Sequence, residues 1–313
     1  MSLRHSNNLN PGADPGFGPV GMIAGGLAGA AAVAAYALAV EPYRLELTHP
    51  EVSLPRLPPA LDGLSVLLLA DPHISRWGRR EPLLLELLET VAPPDVIVWA
   101  GDFIQGKVGI PSVLRVCRAV AERYPGVPSF GIMGNAEHKM RLEFRRDFIR
   151  QLEETGIVVL MNEWTPLTLR GVTITVAGVD DPYYGHADLA AALAGAPTDA
   201  VFTLLLSHSP QLATQAARAG VDLMLSGHTH GGQFRVPLVG PVKTQNPLAH
   251  RLDCGLFRPR DLARVLKRDP GGHLTTYISR GIGVANFPRV WWLSPRFLCR
   301  PEVARLTLRS TAG

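Results

Sequence analysis

Two histidines separated by one residue are the clearest candidates for chemistry in this chain. They are His228 and His230, in the segment LSGHTHGGQ at residues 225–233. Residues at i and i+2 do not share a helix face, but in a glycine-rich loop after a strand both side chains can turn toward one point. Such a loop can build a metal site at a strand end. A His-x-His pair that stands alone in a sequence is more often two solvated loop residues.

Polar side chains that can bind metal also follow other apolar runs earlier in the chain. They are Asp71, His73, Asp102, Asn135 and His208. Carboxylate, imidazole and amide ligands without a thiolate suit Mn²⁺, Fe²⁺, Zn²⁺ or Mg²⁺. With the two loop histidines they are too many for one ion, and two ions about 3.5 to 4 Å apart with a shared carboxylate accommodate them better. In such a site a bridging hydroxide can attack phosphorus in line.

The elements that must position these residues alternate between apolar strands and helices. Apolar runs at 64–70, 95–100, 127–133, 201–206 and 221–225 predict buried strands. Helical spacing at 81–90, 112–122 and 142–154 separates the first of them. The polar residues then lie at the carboxyl ends of strands in an α/β core. Shorter strands in hairpin-like succession between 157 and 177 indicate two mixed sheets packed face to face and flanked by helices, rather than one doubly wound sheet.

The N-terminal segment predicts a membrane association. Residues 16–40 contain no charged residue, and about 20 apolar residues cross a bilayer core. We interpret this segment as a single transmembrane anchor; the alternative is a signal sequence, because small-x-small sites occur at 35–37 and 37–39. Residues 1–15 are polar and predicted to be disordered, and residues 41–313 are predicted to form the catalytic domain. The flanking charges are too few to indicate the side of the membrane.

Composition narrows the class of partner. The 313 residues carry a formal net charge of +4, and 46% of them are hydrophobic. This mildly basic balance suits an anionic membrane surface or a phosphate-bearing substrate, and it falls short of what nucleic-acid binding requires. The three cysteines are widely spaced and form no CxxC pair, so neither a disulfide framework nor a cysteine zinc site is predicted.

The strand-end motifs together resemble those of a known superfamily. In chain order they read DPH, GD, GNAEH, SHSP and SGHTHGGQ. This ordered set resembles the calcineurin-like metallophosphoesterases over roughly residues 60–310. The trailing GGQ is similar to the membrane-associated branch of YkuE and YaeI type, which includes chlamydial-type UDP-2,3-diacylglucosamine pyrophosphatases. The resemblance implies a four-layer αββα sandwich that holds two divalent metal ions, with manganese favoured.

The resemblance also implies how the ligands divide between the two ions. One ion is held by Asp71, His73, Asp102 and His230. The other ion is held by Asp102, Asn135, His208 and His228. The carboxylate of Asp102 is then the bridge between them.

One position departs from the superfamily pattern. The third motif usually reads Gly-Asn-His-Asp or Gly-Asn-His-Glu, and its histidine assists the transition state or protonates the leaving group, but this chain has Ala136 there. His138, or otherwise Glu137, is the candidate that supplies the proton, because a general acid needs only to reach the leaving oxygen. The alternative is that both are solvated residues at a helix entry.

These observations and the resemblance lead us to expect a membrane-anchored hydrolase of a phosphodiester or pyrophosphate bond. The expected substrate is a membrane lipid such as UDP-2,3-diacylglucosamine of lipid A biosynthesis. One alternative is a phosphodiesterase that acts on soluble nucleotides or nucleic acid, which the modest charge and the anchor disfavour. The other is a metal-binding scaffold without catalysis, for which Ala136 is the one argument.

Overall fold

The computed structural model describes residues 19–197, 200–248, 250–285 and 294–311, so the predicted disordered segment 1–15 lies outside the described residues. The helices are α1 (Pro19–Ala39), α2 (Arg80–Glu89), α3 (Ile110–Arg123), α4 (Asn135–His138), α5 (Leu142–Glu153), α6 (Leu189–Ala192), α7 (Ala213–Arg218) and α8 (Pro259–Leu266). The strands are β1 (Glu46–Thr48), β2 (Glu51–Leu54), β3 (Ser65–Leu69), β4 (Val96–Trp99), β5 (Ser129–Gly131), β6 (Ile157–Val159), β7 (Glu163–Leu169), β8 (Val172–Gly178), β9 (Thr203–Leu206), β10 (Leu223–Ser226), β11 (Arg235–Val236), β12 (Gly240–Pro241), β13 (Gly255–Phe257), β14 (Thr275–Ile278) and β15 (Glu302–Ser310).

The first sheet contains the strands that precede the first three motifs. Its order is β1-β15-β3-β4-β5-β6, and β2 also pairs with β15. The strands β3 to β6 run parallel, whereas β15 runs antiparallel to β3. Because parallel neighbours end at the same edge of a sheet, the residues that follow β3, β4 and β5 come together there.

The second sheet contains the strands that precede the last two motifs. Its order is β13-β14-β10-β9-β8-β7. The four inner strands run parallel, and the edge strands β7 and β13 are antiparallel to their neighbours. A small antiparallel hairpin of β11 and β12 follows the histidine loop. The residues after β9 and β10 therefore leave their sheet at one edge as well.

Side-chain alternation along the strands produces the layers. In β3, Val66 and Leu68 pack in one apolar cluster with Leu204 and Leu225 of the second sheet. The intervening residues Leu67 and Leu69 point to the other face and pack with apolar residues of α2, α3 and α5. The outer face of the second sheet packs on α6, α7 and α8. This period-two pattern on each sheet confirms the predicted arrangement of two mixed sheets between helical layers.

The N-terminal helix α1 is apolar and stands largely outside the core. Among the described residues, one stretch is long and apolar enough to cross a membrane, Met22–Tyr43, and most of it is exposed. A signal sequence near an N-terminus has the same properties. The C-terminal end of the helix docks on the domain: the backbone N–H of Arg296 donates to the carbonyl of Ala37 at 2.9 Å, and the backbone N–H of Cys299 donates to the Glu41 carboxylate.

One predicted strand is shorter than its apolar run. The prediction spans residues 127–133, whereas β5 covers Ser129–Gly131. Pro128 has no N–H to donate, although its carbonyl accepts from Ile97. After β5, Ile132 and Met133 stay buried while the chain turns toward Asn135. The end of the apolar run is therefore the buried lead into the site.

Candidate metal centre

All of the predicted ligands lie together at the carboxyl ends of strands from both sheets. Asp71 and His73 follow β3, Asp102 follows β4, Asn135 follows β5, His208 follows β9, and His228 and His230 follow β10. Each is at most 8% exposed. Burying this many carboxylate and imidazole groups in one place is costly unless each is paired or binds metal.

The ligand atoms form two overlapping groups. In the first, atoms of Asp71, His73 and His230 lie within 4.8 Å of one another, and in the second the same holds for Asp71, Asp102 and His208. The Nε2 atoms of His73 and His230 are 3.1 Å apart. In the second group, His208 Nε2 lies 3.2 Å from the amide oxygen of Asn135. The same Nε2 atom of His208 lies 3.2 Å from Nδ1 of His228.

Many of the ligands hold backbone angles that side chains rarely adopt. Positive φ angles between 45° and 69° occur at Asp71, His73, Asp102, His228 and His230. For a residue with a Cβ, such a conformation costs on the order of 1 to 3 kcal/mol and persists only where the surroundings enforce it. The packed strands that precede these residues supply that constraint, and strain of this kind concentrates at functional sites.

Two glycines let the chain approach the carboxylates. A Cβ at Gly134 would overlap Oδ1 of Asp102, and a Cβ at Gly227 would overlap Oδ2 of Asp71. The GNA and GHT steps of the motifs therefore need glycine for steric reasons that do not involve metal binding directly.

Backbone groups orient the ligands. The N–H of His228 donates to both oxygens of Asp71 at 3.0 Å. The N–H of Ala136 donates to Oδ1 of Asp102 at 2.7 Å. His208 Nδ1 lies 2.7 Å from the carbonyl of Ala100, which places the Nδ1 proton on that side and leaves Nε2 for a ligand.

Burial keeps most of the histidines neutral. Desolvation lowers the pKa of His73 to about 4 and that of His228 to about 3. It also holds the pKa of His230 well below its ordinary value. Neutral imidazoles offer the lone pair that a divalent ion requires.

The two carboxylates and His208 do not follow the other histidines. The pKa values of Asp71 and His208 are raised, and the pKa of Asp102 is lowered. Burial raises the pKa of Asp71 to about 7. Burial acts in the same direction on Asp102, but the neighbouring His208 and His73 hold its pKa well below the usual range. Burial opposes protonation of His208, yet the Asp102 carboxylate raises the pKa of His208 to about 10. The proton on His208 supplies positive charge that a divalent ion can replace, because metal binding releases protons from ligands. The donor set therefore fits divalent ions.

The two residues that follow Ala136, Glu137 and His138, have different surroundings. Glu137 is fully buried, and its carboxylate accepts hydrogen bonds from the backbone N–H groups of Asp102, Ile104 and Gly134. His138 is nearly buried, with Nε2 2.6 Å from Asp180 Oδ1 and Nδ1 2.7 Å from Arg145. Both ring nitrogens of His138 thus have protein partners. That one of these two residues supplies the proton stays a prediction.

Arg296 contacts the centre in a way that the motifs do not reveal. Its side chain is fully buried, and its guanidinium lies 3.3 Å from Nδ1 of His230. It also donates to the carbonyl oxygens of Arg280, Gly281 and Gly283. No local pattern signals this role, because 66 residues separate Arg296 from His230. The fold places a fixed cation behind one ligand.

Comparison with known proteins agrees with this geometry. Residues 64–232 match the model of the calcineurin-like phosphoesterase family. The metallophosphoesterase YkuE of Bacillus subtilis is 30% identical over 302 residues, which cover 94% of this chain and 96% of that protein. The phosphodiesterase YaeI of Escherichia coli is 30% identical over 252 residues, covering 78% and 81%. A transmembrane protein with a metallophosphoesterase domain from Danio rerio is 29% identical over 293 residues, covering 89% and 61%.

The family match includes all seven predicted ligands, and the matched residues bring a buried Asp/His cluster together. The centre is thus the metal site of a metal-dependent phosphoesterase, and the chain belongs to the calcineurin-like phosphoesterase family.

Proposed function

We propose that the chain hydrolyses a phosphodiester or pyrophosphate bond in a membrane-lipid substrate and uses two divalent ions to do so. The observation that carries the proposal is the pair of overlapping groups of buried ligand atoms at the strand ends. Two overlapping groups support two neighbouring ions rather than one. The four-ligand assignment to each ion given above is part of the proposal.

Asp102 is the better candidate for the bridge between the ions. Its Oδ2 lies 3.3 Å from His73 and its Oδ1 lies 3.4 Å from His208, so its two oxygens face different groups. Asp71 approaches both groups through one oxygen, 3.7 Å from His230 and 4.0 Å from His208. Asp71 belongs to both geometric groups, but we assign it to the first ion because its oxygen lies closer to His230 than to His208.

Two divalent ions, when bound, supply Lewis acidity toward a phosphoryl oxygen and lower the pKa of a water molecule. The chain contributes orientation. Asp102 is held by the Ala136 N–H and His208 by the Ala100 carbonyl, so neither side chain has to reorganise when substrate arrives. Burial of the ligands also strengthens their electrostatic interaction with the ions.

The contacts of α1 support a lipid-linked substrate. The backbone of Arg296 binds the end of α1 at Ala37, while the side chain of Arg296 contacts His230. One residue therefore connects the apolar helix with a candidate metal ligand. If α1 crosses the membrane as an anchor, the metal centre lies next to the membrane surface.

An exposed apolar hairpin lies beside the same contact. Phe234, just before β11, stacks on Phe297 with ring centroids 5.1 Å apart. At and beyond the hairpin tip, Leu238, Val239 and Val242 are 61% exposed or more. Exposed apolar surface of this kind marks interaction with a membrane or a partner, and its place beside α1 favours the membrane.

The test measures hydrolysis by the full chain in detergent micelles. We expect Mn²⁺-dependent release of p-nitrophenolate from bis(p-nitrophenyl) phosphate, abolished by EDTA. Asp102→Asn should lower the rate at least about 100-fold, since even residues that only orient a metal ligand contribute about 10- to 100-fold. The matched control is Asp147→Asn, whose exposed side chain lies on α5. Absence of Mn²⁺-stimulated hydrolysis in the unsubstituted chain would support a scaffold without catalysis.

The substrate class is tested separately in the same micelles. We expect the chain to cleave UDP-2,3-diacylglucosamine faster than soluble cyclic nucleotides. The release of UMP measures the cleavage of the lipid. Hydrolysis of the soluble compounds alone would reject the lipid substrate and would support a nucleotide phosphodiesterase. Both results leave the metal-dependent hydrolysis itself intact.

A further inference from the structure

A cavity lies next to Ala136, on the side of the metal centre where the superfamily usually carries a histidine. Its volume is about 250 Å³, and α4, the start of α5 and the loop after β4 line it. Three of its lining residues are cationic, namely Lys107, Lys139 and Arg141. The cavity also has apolar wall, from Met140 and Phe144. Such a lining suits an anionic group attached to a larger molecule.

The cavity adjoins the metal centre directly. Ala136 forms part of its wall, and the N–H of this residue donates to the carboxylate of Asp102. The preceding residue, Asn135, is a candidate ligand. A molecule bound at the metals can therefore extend into the cavity.

The charges of the cavity are incompletely balanced by the protein. Arg141 pairs with Glu143 at 3.2 Å, and Lys107 lies 4.6 Å over the ring of Phe144. Lys139 is exposed and has no ion pair or side-chain hydrogen bond within the described part of the chain. No carboxylate is among the described lining residues. An anion in the cavity would find at least one cation without a competing partner.

A buried polar atom in the cavity wall indicates a further group of the bound molecule. The Oε1 atom of Gln105, which also lines the cavity, is buried and has no hydrogen-bond partner among the described residues. Buried acceptors are normally paired, so this atom is suited to a hydroxyl of a bound molecule. Cations, apolar wall and a free acceptor together describe a phosphate ester that carries hydroxyl groups.

We propose that this cavity binds the leaving half of the substrate as a phosphomonoester, so that the bond broken is a pyrophosphate. This inference rests on the proposed function and specifies its substrate class. Water adds to the phosphorus at the metals, and the bond from that phosphorus to the bridging oxygen breaks with its electron pair going to the oxygen. Both products are phosphomonoesters whose second pKa is near 6, so near neutral pH both protons of the water pass mainly to solvent.

The same charge balance explains how hydrolysis can proceed with Ala136 in the place of the usual histidine. An alkoxide leaving group requires a proton from a general acid, whereas a phosphomonoester leaves as a dianion and requires none. The ammonium group of Lys139 offsets the charge on the departing phosphate in the place where a histidine usually acts. Lys139 then contacts the substrate, and Lys107 and Arg141 bind its outer oxygens.

The test compares two substrates with the full chain in detergent and Mn²⁺. One is a lipid-linked pyrophosphate, UDP-2,3-diacylglucosamine, and the other is bis(p-nitrophenyl) phosphate, whose leaving group carries no phosphate. We expect Lys139→Gln to lower kcat/KM for the pyrophosphate about 10- to 100-fold, the range for loss of a hydrogen bond to a charged group. For the aryl diester we expect a change within about twofold. Lys107→Gln should act in the same direction.

Lys267→Gln is the matched control, since Lys267 is exposed at the end of α8, and it should alter neither rate. Equal loss on both substrates by Lys139→Gln, or no loss on either, overturns the leaving-group site. A chain that cleaves the aryl diester but not the pyrophosphate overturns it too. A chain that cleaves neither substrate with Mn²⁺ overturns the proposed function itself, which separates the two failures. Manganese content measured for each variant shows that the metal centre is intact.

Discussion

Removal of the Glu137 carboxylate should destabilise the metal centre more than any exposed substitution. Its two oxygens accept three backbone N–H groups, from Gly134 at 2.8 Å, Asp102 at 3.0 Å and Ile104 at 3.2 Å. Glu137→Ala leaves all three buried donors without this partner. An unsatisfied buried donor costs about 1 to 3 kcal/mol, and water can enter part of the space, so we expect a loss of about 3 to 5 kcal/mol in the free energy of unfolding.

Glu137→Gln should cost much less. A glutamine oxygen in the place of Oε2 keeps the bonds from Asp102 and Gly134, and its amide group loses only the bond from Ile104. We expect a loss of about 1 to 3 kcal/mol for this variant. Guanidinium titration of the full chain in detergent with EDTA measures both values. Glu153→Ala, an exposed glutamate on α5, is the control and should stay within about 0.5 kcal/mol.

Activity separates a positioning role of Glu137 from proton donation. If Glu137 orients the Asp102 backbone, Glu137→Ala should lower kcat/KM about 10- to 100-fold, and Glu137→Gln should retain most of the rate. Glutamine cannot donate a proton as a carboxylic acid does. Equal loss of activity in the two variants, with unchanged stability and manganese content, would refute the positioning role and support the predicted proton donor.

Three further outcomes are expected. Gly134→Ala should reduce manganese content and activity together, because the new Cβ would displace the Asp102 carboxylate, and full metal content would contradict this. Glu302→Gln should lower the free energy of unfolding by about 1 to 3 kcal/mol, because Arg280 then keeps only the more exposed Glu46 as a carboxylate partner; a change under about 0.5 kcal/mol measured by guanidinium titration would contradict it. Burial opposes ionisation of Asp95, but hydrogen bonds from Ser65 hold its pKa below the ordinary value, so its contribution is present above about pH 4 and is lost as pH falls through the lowered pKa. Asp95→Asn should therefore reduce the fall in the midpoint temperature of thermal unfolding that occurs between pH 5 and pH 2. A fall as large as that of the unsubstituted chain would contradict this expectation.

The sheets were predictable where apolar runs are continuous. Val66 to Leu69 and Val96 to Trp99 are buried on both faces, so their composition alone indicates inner strands. β15 was not predicted, although it lies beside β3 in the first sheet. Its apolar residues Ala304, Leu306 and Leu308 alternate with polar ones, a period-two pattern that indicates a strand but not its pairing with β3 and β2.

The site was predictable in its ligands and much less so in its surroundings. Because a polar residue after a buried strand emerges at the sheet edge, the types and order of the ligands could be inferred from local sequence. Glu137 accepts a hydrogen bond from Ile104, Arg296 contacts His230, and Lys139 lines the cavity. Each of these placements depends on residues distant in the chain. No local pattern encodes such contacts.

The sequence by itself determined which groups can bind metal, that each follows a strand, and that an apolar segment precedes the domain. These are local properties, set by hydrophobic burial and strand periodicity. Only the tertiary structure decided that ligands from the two sheets meet, with His208 of one sheet 3.2 Å from Asn135 of the other although 73 residues separate them. It also decided that Ala136 opens onto a cationic cavity. The physical reason is that face-to-face packing of two sheets, and the left-handed backbone of Asp71 and Asp102, are enforced by contacts remote in sequence.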